Sequence, residues 1–177
     1  MERRRALAVV LIVGAVVATA IVLFPALSPL SGPPSVTTAE SPSLDPSLSD
    51  PFAGQKRPPS AVLRVGDSED GLPVRVWHDG ESARTVSIAL RHNGSDSTIV
   101  RRTETLPPNG TLRIDILAQG RYLLTVTDEP TGTTGTYAVT PDRFDCNEHL
   151  ATVRINDTAI SSRTMQTGMG CGGLFAL

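Results

Sequence analysis

From Ala61 onward, apolar and polar side chains alternate over short runs bounded by turn residues, the period of strands with one buried face. Val86, Ile88 and Leu90 share one face. Leu112, Ile114 and Ile116 alternate with Thr111, Arg113 and Asp115, and Tyr122, Leu124 and Val126 stand beside Arg121, Thr125 and Thr127. These three runs carry the clearest alternation. Further strands are expected over Val62–Val65, Val74–His78, Thr98–Thr105, Thr136–Thr140, Ala151–Ile155 and Ala159–Met165. No stretch in this region has the 3.6-residue period of a useful helix.

Turn formers fall between these runs: Asn93-Gly94, Pro107-Pro108-Asn109-Gly110, Gln119-Gly120, Pro130-Thr131-Gly132 and Asn156-Asp157. About nine strands spaced about 8 to 12 residues apart imply an all-β fold of two packed antiparallel sheets, a β-sandwich, with a closed barrel as the alternative. The segment 61–177 is long enough to bury about two-thirds of its surface and to fold without a cofactor.

The N-terminal pattern is different. Arg3, Arg4 and Arg5 precede an uncharged apolar run from Ala6 to Phe24, about 28 Å long as a helix and sufficient to cross a bilayer. Residues 1–27 therefore read as one transmembrane signal-anchor. The positive flank keeps the N-terminus cytoplasmic and places the rest of the chain outside. A cleaved secretory signal is the competing reading. However, a cut after Ala18-Thr19-Ala20 leaves a hydrophobic stub, and one after Ala26-Leu27-Ser28 puts Pro29 at the new terminus. Residues 28–60 contain eight prolines among many serines and threonines, without periodicity. They read as a disordered stalk, either semi-rigid and extended or without set length, which places the start of the folded domain at 61.

A net charge of −2 offers no basic excess for nucleic acid. Cys146 and Cys171 are the only cysteines, and outside the membrane such a pair is expected to form a disulfide. A sharper reading takes Cys146 and His149, with Met165, Met169 and Cys171, as a soft donor set for copper, although the paired histidines of ordered copper sites are missing. Asn93, Asn109 and Asn156 each head an Asn-x-Ser/Thr triplet in an expected turn, making them candidate glycan acceptors or simply turn residues.

The search for catalysis returns little. His78, His92 and His149 are isolated in sequence, and neither a nucleophile elbow nor a zinc-binding histidine pair is present. The loop Asp67-Ser68-Glu69-Asp70-Gly71 lacks the alternating oxygen ligands of a dedicated calcium loop and reads as a solvated turn. Glu104, Asp115 and Asp128 belong to separate strands, with nothing to pair them. Trp77, Tyr122 and Tyr137 sit in core-like alternation rather than as a sugar-binding platform.

The run Phe144-Asp145-Cys146-Asn147, a Thr-rich strand and Met169-Gly170-Cys171 resemble small surface proteins of haloarchaea. The resemblance implies an N-terminal membrane segment, a low-complexity stretch and an immunoglobulin-like or transthyretin-like β-sandwich; it implies no chemistry. Arginine outnumbers lysine fifteen to one, in keeping with it, whereas the mild net charge departs from the acidity of proteins exposed to saturated salt. The expected function is a non-catalytic cell-surface module, with membrane lipid and another envelope protein as partners and no cofactor. The alternative is a small-ligand or metal-binding ectodomain using Cys146, His149, Met169 and Cys171.

Overall fold

A computed structural model describes residues 32–44, 47–94 and 97–168. The expected membrane segment lies outside these residues; among the described ones no helix is long and apolar enough to cross a membrane. The chain divides between Gly32 and Pro33, and the second unit carries ten strands. They are β1 (Val36–Ala39), β2 (Pro59–Val65), β3 (Leu72–His78), β4 (Arg84–His92), β5 (Ser97–Leu106), β6 (Thr111–Ile116), β7 (Tyr122–Asp128), β8 (Thr133–Val139), β9 (His149–Ile155) and β10 (Ile160–Gln166). All nine strands expected from alternation are present, as are the turns between them.

The strands form a six-stranded sheet, in the order β1-β2-β6-β3-β9-β10, and a four-stranded sheet, β5-β4-β7-β8. Both inner faces are aliphatic: Val74, Val76, Leu112 and Ile114 from the larger sheet share one core with Val86, Ile88, Leu90, Leu124 and Val126 from the smaller. Tyr122, at the start of β7, turns its hydroxyl back to donate to the Ala118 carbonyl at 2.7 Å, a tyrosine-corner arrangement that fixes the β6–β7 connection. The expectation of purely antiparallel sheets needs correction. The smaller sheet is antiparallel throughout, but β2 pairs with β6, and β3 with β9, in parallel. The chain leaves the larger sheet to build the hairpins β4–β5 and β7–β8 and returns each time beside an earlier strand, the crossover that parallel pairing requires.

The disordered stalk at 28–60 is the second correction. β1 pairs antiparallel with β2, so the folded domain begins well before residue 61. The segment after β1 then crosses the outer face of the larger sheet as a strap. The Ser43 amide donates to Asp115 at 2.8 Å, Arg113 donates to the Leu44 carbonyl, and Phe52 is buried. This cover explains why every residue of β6 is buried, including Arg113 and Asp115 on its polar face.

The two outer faces differ accordingly. On the smaller sheet, cross-strand hydroxyls face solvent, with Thr85 against Thr105, Ser87 against Thr103 and Thr127 against Thr134 at 2.9 to 3.1 Å. The outer face of the larger sheet carries ion pairs instead, Arg75 with Asp50, Arg113 with Asp115 and Arg154 with Asp79. A register fact orients both: Val36 of β1 lies opposite Val65, Val65 opposite Ile116, and Ile116 opposite Leu72. β9 starts and β10 ends at this same end, so the chain enters the sandwich there.

Candidate functional site

The loops Gly66–Gly71 and Phe144–Glu148, with Leu117–Gln119 between β6 and β7, surround a cavity of about 720 Å³ at the chain-entry end. Its lining includes the carboxylates Asp67, Asp70, Asp145 and Glu148, with His149 and no lysine or arginine. Two segments that the sequence left unrelated, the acidic loop and the Cys146 region, thus meet. His149, the first residue of β9, is buried, and its Nε2 lies 2.7 Å from Asp145 Oδ1. That hydrogen bond, followed by those from Asn147, holds the Asp145 carboxyl at about 2, well below the ordinary aspartate value. Glu148 accepts from both the amide and hydroxyl of Ser47, so the strap also reaches this rim.

Cys146 is exposed on the rim and holds no free thiol. Cys171 and Met169 lie outside the described residues, whereas Met165 is exposed on β10. Among the described residues no group of three His, Cys, Asp or Glu side chains is arranged to hold a metal ion.

The remaining sequence candidates are scattered. His78 is buried at the end of β3 with Nε2 2.6 Å from the Ser82 carbonyl, and His92 packs its ring against Tyr122 with centroids 5.1 Å apart. Each candidate carboxylate has its own arginine: Glu104 pairs with Arg102, Asp115 with Arg113 at 2.7 Å, and Asp128 with Arg84 at 3.2 Å. Of the acceptor asparagines, Asn93 is exposed in the β4–β5 turn, while Asn109 takes a left-handed φ of 57° before β6. Asn156 folds its Oδ1 onto the Thr158 amide, the Thr158 hydroxyl and the Ala159 amide.

Sequence reasoning missed the network under the strap. Arg113 and Arg75 stand directly opposite each other on β6 and β3, with Thr152 in the same row on β9. Asp50, from the strap, pairs with Arg75, lies 3.3 Å from Lys56 Nζ and accepts from Thr152 at 3.0 Å. Trp77 faces this side rather than the core between the sheets. The Lys56 ammonium sits 3.7 Å from its ring centroid, and a Cβ on Gly54 would come within 2.6 Å of it. At φ +134° and against the indole, position 54 suits glycine alone. The available signal was Asp50-Pro51-Phe52, an aromatic and an acid inside an otherwise Ser/Pro-rich segment.

No family model matches this chain, and no curated protein does. Among solved structures, sea bream transthyretin in complex with thyroxine matches at 7% identity and a TM-score of 0.34, covering 55% of this chain and 97% of that one. A likeness at that level carries nothing about ligand or assembly.

Proposed function

We propose that the chain is a non-catalytic cell-surface module: an immunoglobulin-like or transthyretin-like sandwich tethered by the apolar run Ala6–Phe24 and presented to other components of the envelope. The observation carrying this reading is the direction of the domain. β1 enters beside the β2–β3 and β6–β7 loops, so the opposite end is the one offered outward; there lie the turns 79–83, 107–110, 129–132 and 156–159. On the outer side of a membrane, Cys146 and Cys171 close a disulfide, and Asn93, exposed in its turn, is an accessible glycan acceptor, with Asn109 and Asn156 as half-buried candidates.

The test places a label at the outward end. Glu81 is exposed in the β3–β4 turn, so Glu81→Cys should react with a membrane-impermeant maleimide on intact cells, with the protein in the membrane fraction. Labelling only after lysis would defeat the surface reading.

A second reading, a small-ligand-binding ectodomain, is favoured by the carboxylate-lined cavity beside Cys146 and His149. Its ligand would be a metal ion or small organic cation. Stoichiometric copper or zinc in the purified full-length protein would put this reading first.

A further inference from the structure

The outer face of the larger sheet carries a second, smaller cavity of about 270 Å³, bounded by Lys56, Arg57, Pro58, Pro59, Arg75, Thr111 and Arg113. Four cations line it. Two carboxylates stand against them, Asp50 beside Lys56 and Arg75, and Asp115 beside Arg113; four less two leaves an excess of two positive charges. Arg75 and Arg113 stand directly across a strand pair, an unfavourable juxtaposition of like charges that Asp50 and Asp115 offset, so the uncompensated charge rests with Lys56 and Arg57.

Arg57 is held differently from the others. Its backbone is pinned on both sides, the amide donating to the Asn109 carbonyl at 2.9 Å and the carbonyl accepting from Thr111 Oγ1 at 2.9 Å. Its guanidinium has no hydrogen-bond or ion-pair partner among the described residues. Pro58 and Pro59, whose rings fix φ, continue the same wall without backbone donors. Arg75 commits one terminal nitrogen to Asp50, and its side chain remains 25% exposed, with no further hydrogen-bond partner among the described residues. A fixed backbone carrying a free planar fork, beside a second arginine with donors to spare, is the arrangement that receives two or three oxygens of an anion.

We propose that this cavity binds an oxyanion, the sulfate or phosphate group of a larger anionic ligand, with Arg57 and Arg75 as its direct donors and Arg113 and Lys56 supplying field. The site lies on the folded domain and stands whether or not the surface reading holds.

The test is titration of the full-length chain in detergent with inorganic sulfate and, separately, inorganic phosphate, at constant ionic strength set by chloride. Saturable binding in the millimolar range is expected. Arg57→Ala should weaken it about tenfold, as expected for loss of one charge-assisted contact, with the melting temperature unchanged because that guanidinium holds nothing in the fold. Arg57→Lys should recover part of the loss. Equal binding of the two anions supports the shared chemistry, and a preference for either supports it while naming the carrier as a sulfate or a phosphate ester. A non-saturating response, or Arg57→Ala binding like the parent, overturns the proposal. So does an equal loss in Arg121→Ala, an exposed arginine in the β6–β7 connection at the other end of the sandwich.

Discussion

At the scale of single residues, the sharpest consequence concerns Asp145. Its carboxyl titrates at about 2 because His149, then Asn147, donate to the ionised form. The folded value lies below the unfolded one, so the contribution to stability is present above the ordinary aspartate value of 3.8 and is lost as pH falls towards 2. A carboxyl-carbon titration by NMR should place the Asp145 midpoint near 2. Asp145→Asn should remove part of the acid sensitivity between pH 4 and pH 2, and a midpoint near 4 in the parent would contradict the hydrogen-bonded geometry. Tyr122 moves in the other direction: burial raises its phenol to about 12, so its ionisation opposes folding between pH 10 and 12.

At the scale of elements, the strap is where packing replaces periodicity. Phe52 is buried and carries the guanidinium of Arg163 at 4.8 Å from its ring centroid and that of Arg154 at 5.7 Å. Phe52→Ala should cost about 3 kcal/mol, the lower end for a buried aromatic, because the site borders solvent and is free to relax. Chemical denaturation would measure the loss. Hydrogen exchange should show the Ser43 and Ser47 amides losing protection first, since their acceptors, Asp115 and Glu148, lie on the surface that the strap covers. This contrast also explains what the sequence could reveal. Nine strands were legible because alternation is written locally, one face at a time. β1 and the strap were not, because what orders Ser43, Asp50 and Phe52 is a set of partners twenty-five to more than a hundred residues away: Asp115, Arg75 and Thr152, and Arg163. Parallel pairing was equally hidden, since alternation is identical in either strand direction. Of the candidate site, the Asp67–Gly71 loop and the Cys146–His149 run were each visible in sequence. Their meeting around one cavity depends on β3 and β9 being neighbours, which alternation does not encode.

At the scale of the molecule, Arg84 ties one sheet to the other. From β4 it reaches Asp128 on β7 at 3.2 Å, and across to the β9–β10 turn, where it meets Asp157 at 2.8 Å and the Asn156 carbonyl at 3.3 Å. Asp157 is exposed and adds little, but Asp128 is buried, so removing the arginine strands a charge. Arg84→Ala should destabilise the protein by about 3 kcal/mol, and adding Asp128→Asn should return part of that loss. Urea unfolding of the two variants against the parent checks both statements, with an unchanged m-value showing that the sheets still unfold together.

The position of Val36 beside Val65, at the end where β10 finishes, sets the response to mechanical load. Tension between the N-terminal lead and the end of β10 draws on the two opposite edge strands from the same end of the sheet. β1 then peels from β2, and β10 from β9, one hydrogen-bonded pair after another. A bond from Cys146 to Cys171 would shift that tension off β10, leaving the four-residue β1 as the first element to yield and the nine remaining strands intact behind it.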